Sequence, residues 1–467
     1  MKFRTTLVVF FVFLVLLIFI FIFESKSSKN RESQDLLVDV PTADIESVVF
    51  DNGTEKIAFQ RQEGNGSWAI IQPLAAEADG WEVDRLAGDF ARLRFERIVE
   101  DEVSDLKNYG FPNQQVDLTV KGRPEPIRIL IGAENPLDHS FFVKREDENR
   151  VVLISSTHKS LLEKKLFDFR KKDVFDFEVG EAESLELRRG TSGWKASKSD
   201  EEWFLTDPVQ ALAQKGRVNG ILASVSGLRA TEFAAEDKSP EILSRYGLDH
   251  PDFEVSVEIP AKSQSITVSI SKSGDSAYAV SSLSSIVIKT DAATLDELKA
   301  DAGEIRENHP VVFFMWEVER LSIRRGETSA VFVKTDESAW HFGSESGPQA
   351  DMNKIEDLLR KLENLQSVEF IDPPLELSRF GLEPPQTELT LAVRTGDDAR
   401  EVTLLVGTPD QEARQVVVKN SRFDYLFRVP AEFLNAIPED AKDWELTSEE
   451  NGLTKETAPS PDKSPLP

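Results

Sequence analysis

Five histidines, His139, His158, His250, His309 and His341, are the side chains that could serve as bases or metal ligands near neutral pH. None stands three or four positions from another, so no helix face presents a pair of them to a metal or a substrate. Acid pairs such as Glu201-Glu202 and Asp397-Asp398 could divide general acid and base roles. However, 83 acids in 467 residues make such neighbours commonplace, and both pairs fall in predicted turns, where burial would not shift a pKa. Trp68, Trp203 and Trp340 could stack on sugars or peptides, but their regular spacing favours core anchors at strand ends. Arg170-Lys171-Lys172 could contact an anionic partner; a cap on a closing helix or a solvated face is the favoured reading. Asn52-Gly53-Thr54 and Asn65-Gly66-Ser67 match the glycosylation pattern and read better as hairpin turns.

Other chemistries lack their residues. No G-x-x-x-x-G-K-[ST] loop, G-x-S-x-G elbow, H-E-x-x-H pair, EF-hand loop or kinase set occurs, and Gly64-Asn65-Gly66 has no third glycine at dinucleotide spacing. With no cysteine, disulfides, thiolate nucleophiles and Cys-ligated metals are excluded. The reading therefore assigns no catalytic, cofactor-binding or metal-binding residue, and expects a protein that is not an enzyme.

The formal net charge is −28, which repels nucleic acid and anionic headgroups, so no nucleic-acid partner is expected. Leu7 to Phe23 is an unbroken run of 17 apolar residues. At about 1.5 Å per residue it comes close to the ~30 Å hydrocarbon core, and it exceeds the h-region of a secretory signal. Residues 1–23 are thus predicted to be a transmembrane signal anchor. Ser25 and Ser27 offer a weaker cleavage pattern as the alternative. Flanking charges nearly tie, Lys2 and Arg4 against Lys26, Lys29 and Arg31. The expectation is a single pass through a bacterial inner (cytoplasmic) membrane with the bulk of the chain extracytoplasmic, or periplasmic.

The elements that would position any site recur along the chain. Trp68, Trp203 and Trp340 are spaced by 135 and 137 residues. Fifteen positions after each begins a stripe at helical spacing: Val83, Leu86, Phe90, Leu93; Val218, Ile221, Val225, Leu228; Ile355, Leu358, Leu362, Leu365. Asp79 and Asp351 are in place to cap these helices, with Gln214 the exception. Next come Tyr109-Gly110-Phe111, Tyr246-Gly247-Leu248 and Phe380-Gly381-Leu382, each a turn from helix end to strand. Alternating strands follow, such as Val116-Leu118-Val120 with Ile127-Ile129-Ile131. The predicted fold class is α+β: an N-terminal transmembrane helix, then three repeated modules, each a mainly antiparallel sheet with an amphipathic helix on one face. Boundaries fall at 1–23 (anchor), 24–41 (polar stalk), 42–178, 179–315 and 316–445 (modules 1 to 3), and 446–467 (disordered Pro-rich tail).

The stretch Trp68 to Pro73, the amphipathic helix, Tyr109-Gly110-Phe111-Pro112 and Phe169-Arg170-Lys171-Lys172 resemble a bacterial family known only as domain of unknown function 4340. The resemblance covers nearly all of residues 1–445. It implies one N-terminal span, repeated copies, and genes near ABC transporter subunits, and it brings no catalytic residues. The leading expectation is a non-enzymatic, membrane-anchored accessory or scaffold protein associated with an ABC-type transporter. The alternative is an anchored binding module for an envelope glycan or peptide, and a hydrolase with scattered carboxylates is more remote.

Overall fold

Successive side chains of a strand point to opposite faces, so an alternating run buries its apolar face only when several such runs lie side by side. The computed structural model describes residues 35–173, 177–335, 338–396 and 398–445, and the alternating runs pair antiparallel in three sheets. The described chain divides into two compact units. Unit 1 takes Met1–Val174, Leu228–Glu236 and Ile286–Thr290; unit 2 takes Phe175–Gly227, Asp237–Ser285 and Asp291–Pro467.

In unit 1 the first sheet comprises β1 (Ile45–Asp51), β2 (Lys56–Arg61), β3 (Trp68–Gln72), β4 (Ala76–Glu77), β5 (Arg97–Glu100), β6 (Gln114–Val120), β7 (Ile127–Glu134), β8 (Phe141–Arg145) and β9 (Val151–Ile154). Their order is β4-β3-β2-β1-β6-β7-β8-β9-β5, which makes β5 an edge.

The second copy supplies strands to both units. In unit 2, β10 (Ser184–Arg189), β11 (Ser192–Ser199), β12 (Glu202–Asp207), β13 (Ala211–Leu212), β15 (Phe253–Ile259), β16 (Gln264–Ser273) and β17 (Ser276–Ser281) run β13-β12-β11-β10-β15-β16-β17. In unit 1, β14 (Glu232–Ala235) pairs with β18 (Val287–Asp291), as β5 pairs with β9.

The third sheet, in unit 2, is β19 (Val318–Arg325), β20 (Thr328–Lys334), β21 (Trp340–Phe342), β22 (Glu369–Ile371), β23 (Thr387–Thr395), β24 (Asp398–Val406), β25 (Gln415–Asn420) and β26 (Leu426–Pro430). Its order is β21-β20-β19-β23-β24-β25-β26-β22. The same path is therefore traced three times.

Each path carries one twelve-residue helix: α1 (Gly80–Ala91), α2 (Lys215–Ser226) and α3 (Met352–Glu363). Val83, Leu86 and Phe90 are fully buried among Val48, Phe50, Leu118 and Ile129, and Ile355, Leu358 and Leu362 among Leu321, Ile323, Leu389 and Leu404. Three side chains of this kind amount to about 5–9 kcal/mol per helix as an upper estimate, and the fourth residue of each stripe, Leu93, Leu228 or Leu365, lies just beyond the helix end. The Asp79 carboxylate accepts from the Glu82 amide, and that of Asp351 from the amides of Asn353 and Lys354. Gln214 makes no such cap; its side-chain amide donates instead to the carbonyls of Glu304 and Arg306.

The aromatic–glycine landmarks end short helical turns. Gly110 and Gly381 have φ of 73° and 67°, the left-handed region that ends a helix without a Cβ penalty. At Gly381 a Cβ would also lie 2.1 Å from Thr408 Oγ1.

Two expectations are corrected. The fold class with an N-terminal transmembrane helix is corrected to a body of mostly antiparallel sheet, in three sheets with one long helix against eight or nine strands in each copy; the antiparallel sheets themselves were expected. Among the described residues no helix is long and apolar enough to cross a membrane. A twelve-residue helix spans only about 18 Å of a ~30 Å hydrocarbon core. The expected span, Leu7 to Phe23, lies outside the described residues, as do most of the stalk and the 446–467 tail. The single-pass inner-membrane localisation is corrected on the same finding.

Gly381 and Gly396 separate backbone strain from crowding, since Gly396 also has positive φ (62°) but nothing within 4 Å of its Cβ position. In chemical denaturation, Gly396→Ala is expected to cost about 1–2 kcal/mol and Gly381→Ala at least 1 kcal/mol more. Equal losses would contradict the crowding at Thr408.

Candidate functional site

Among the described residues, the most heavily buried charges occupy one position in two of the three copies. Helix Leu166–Phe169 ends at Arg170 and helix Ala302–Ile305 at Arg306, where the backbone turns extended (ψ 142° and 137°). Asp79 and Gln214, the cap positions of α1 and α2, donate their amides to the carbonyls of Phe169 and Ile305, both at 2.8 Å. The bridges Ala78 to Arg170 and Ala213 to Arg306 complete this anchoring. Each arginine thus leaves its own copy at a fixed place.

The side chains reach forward to the next copy. In unit 1, Arg170 is 3% exposed and donates from both terminal nitrogens to the Glu236 carboxylate, at 2.6 and 3.0 Å. Its guanidinium carbon lies 3.6 Å from the centre of the Phe233 ring, on β14. In unit 2, Arg306 is 4% exposed, donates to both Asp372 oxygens at 3.1 and 2.7 Å, and lies 4.0 Å from Phe370 on β22 and 4.1 Å from Tyr425. In both cases the acid stands 66 residues after the arginine. A planar guanidinium suits this arrangement: its edge forks onto a carboxylate while its face covers a ring.

Three further contacts complete the joints. After each arginine the chain pairs with the same place in the following copy: Ala230 donates to the Lys172 carbonyl and Ser367 to that of Asn308. Burial pushes the Tyr425 hydroxyl up to about 12, and its oxygen accepts from the Leu212 amide at 3.3 Å. The hydrogen bond that the His309 ring donates to the Glu307 carboxylate, at 2.7 Å, raises His309 above the usual histidine value. Arg306 Nε is buried without a hydrogen-bond acceptor, and the flanking rings are what its guanidinium faces. In the third copy the corresponding bridge, from Ala350, is made by exposed Glu445.

The residues singled out in the sequence are not brought together. Trp68, Trp203 and Trp340 are buried at 4, 2 and 1% exposure, so none offers a stacking face to solvent. Trp68 donates to Asp84 at 2.8 Å and carries Arg61 over its ring. The histidines serve local turns: His158 lies against the Ser155 carbonyl, His341 against that of Gly347, and His250 is exposed. Glu201 is exposed in a turn, and Glu202 pairs with Arg422 at 2.6 Å. Asp397 lies outside the described residues. Asn52 and Asn65 accept amide hydrogens two residues on, which closes the turns expected there. An open cleft of about 500 Å³ is lined by Arg189, Asp252, Phe253, Lys272 and Gly274, and brings no nucleophile next to a base. Among the described residues no group of three His, Asp or Glu could hold a metal.

The Arg170-Lys171-Lys172 run was expected to be a cap or a solvated face; its first member is buried in the joint instead. Arg306, Phe233, Glu236, Phe370 and Asp372 carry no local motif in the sequence. The available signal was the shared offset of 30 residues from Trp203 to Phe233 and from Trp340 to Phe370.

No curated protein matches this sequence. Among solved structures, a DNA polymerase sliding clamp from Pseudomonas aeruginosa is 6% identical, with 84% of this chain and 93% of that chain covered at a TM-score of 0.17. The DNA polymerase III subunit beta from Borrelia burgdorferi is also 6% identical, with 86% and 95% covered at 0.16. Scores this low carry no argument about fold or role. The family described as domain of unknown function (DUF4340) matches twice, over residues 68–204 and 203–377. These matches take in more than half of the sequence, and the chain belongs to the DUF4340 family, in repeated copies.

Proposed function

We propose that this protein is a non-enzymatic accessory or scaffold protein that presents its repeated sheets to protein partners, with the subunits of an ABC-type transporter as the partners the family resemblance implies. The observation that carries the reading is the use made of buried charge. The two most buried arginines, with their acids, are committed to joining one copy to the next. In each pair a buried guanidinium meets a half-exposed carboxylate, and such a directed contact supplies the fixed geometry that a scaffold requires. The strongly acidic surface supports basic partners.

A second reading has one observation in its favour. Phe314 and Trp316 stack at 4.6 Å with an 8° angle between rings, and both are exposed, at 53% and 66%. Such a platform suits a sugar ring or a peptide aromatic. Under this reading, titrating glycan or peptide panels changes the fluorescence of the intact chain, and Trp316→Ala abolishes the change. A flat response across the panels removes it.

The scaffold reading is tested by affinity capture of the intact chain from its native source. Transporter ATPase and permease subunits are expected to co-purify reproducibly, and their absence would count against the proposal. The joints give two further expectations. Arg306→Ala is expected to cost about 2–4 kcal/mol by chemical denaturation, and Asp372→Asn about 1 kcal/mol, because the arginine is buried whereas the Asp372 side chain is 43% exposed. Equal losses would argue against a buried guanidinium as the dominant member. The raised Tyr425 pKa fixes a pH window. Its stabilisation is complete below the unfolded value of 10 and is lost as pH climbs through about 12. Tyr425→Phe should therefore flatten stability between those pH values, and an unchanged profile would contradict the assignment.

A further inference from the structure

A cross-strand pair at one end of the sheet changes character between copies. In the first copy Phe50 on β1 pairs with Val116 on β6, and both are fully buried. In the third copy the same place holds Arg325 on β19 opposite Thr387 on β23. The turn glycines fix this register, since Val116 and Thr387 each stand six residues after Gly110 and Gly381. Alternation puts both residues on the core face. Leu321, Ile323 and Arg325 form one row, and Leu391, Leu389 and Thr387 the row opposite. Two apolar side chains that close the core in one copy are thus replaced by a cation and a hydroxyl.

A recess lies at this exchange. Arg325 and Thr387 line it together with Val406, Gly407, Leu434 and Ile437, around a cavity of about 40 Å³, and Arg325 is its only charged member. Among the described residues Arg325 has no acid partner, whereas Arg324 beside it pairs with Glu388. Thr387 is 5% exposed, and its hydroxyl meets no hydrogen-bonding group of the described residues. A carboxylate suits both side chains: a guanidinium forks onto it, as Arg170 and Arg306 do in the joints, and a hydroxyl donates to it.

We infer that this recess binds a short aliphatic carboxylate, its charged end held by Arg325 and Thr387 and its chain lying on Val406, Leu434 and Ile437. Size sets the class. At about 10–15 Å³ for each water-sized group, the cavity takes roughly three or four of them, which is a chain of a few carbons. The apolar walls give the remainder of a fully polar anion no partners, and so favour an aliphatic chain there. The second copy offers no such site: Phe253 stands where Thr387 does, and Asp252 and Asp301 line the recesses beside Arg189.

The probe is sodium butyrate, titrated into the full chain with its isoleucine δ1 methyl groups ¹³C-labelled and followed by NMR. The Ile437 signal, assigned through Ile437→Val, is expected to shift saturably. Butyramide, the neutral isostere, should bind at least tenfold more weakly. Arg325→Gln should weaken butyrate binding about tenfold or more, as the loss of a charge-assisted hydrogen bond does. Thr387→Val installs the residue type of Val116 and should weaken it about threefold to tenfold, with the other isoleucine signals unmoved. Arg324→Gln should change nothing. Absence of saturation, equal binding of butyramide, or equal losses from Arg324→Gln and Arg325→Gln would each overturn the inference. Inorganic phosphate displacing butyrate at equal concentration would overturn the carboxylate class and mark Arg325 as a bare cation.

Discussion

A guanidinium removed from water and held between a carboxylate and an aromatic ring is the interaction on which this structure depends. A cation at 3–4% exposure is tolerable only when its hydrogen-bonding edge and its face are both occupied. At Arg170 and Arg306 both conditions are met by residues of the following copy, 66 positions along the chain. The receiving strands, β14 and β22, are short, and each carries a phenylalanine that the guanidinium covers. Besides their pairing with β18 and β26, each is met by the arginine of the preceding copy, and the Arg170 contacts fall within the unit that Leu228–Glu236 joins.

The remainder of each copy follows from ordinary amphipathic logic. Alternating strands bury one face, a twelve-residue helix covers part of it, and the cap residue of that helix ties down the segment bearing the arginine. Gln214 illustrates the economy of this arrangement. It gives up the helix-capping role that Asp79 and Asp351 perform, and its side chain holds the Arg306 carbonyl instead. The same position serves helix nucleation in two copies and joint geometry in the other.

Much of this was legible in the sequence because the signals are local. The stripes at 83, 86, 90 and 355, 358, 362 report a helix face, and the glycines at 110 and 381 report left-handed backbone; each depends only on neighbours within a turn or two. The joints were not legible, because their partners are far apart in sequence and use common residue types. Arg170 stands beside two lysines, and a basic run reads as surface. Arg306 stands between Ile305 and Glu307 with nothing to distinguish it. Only the paired offsets across copies reveal them. The alternating runs made the antiparallel sheets legible too, whereas the apolar run from Leu7 to Phe23 lies outside the described residues and the described part holds no helix long and apolar enough to cross a membrane.

The account is tested most directly by amide hydrogen exchange on the intact chain with each arginine replaced in turn. If the guanidinium is what holds the receiving strand, Arg170→Ala must speed exchange across 231–236 and leave 368–372 unchanged, and Arg306→Ala must do the reverse. Unaltered protection of both strands in both variants would show that these edges are held by something else, and the joints would lose their central place.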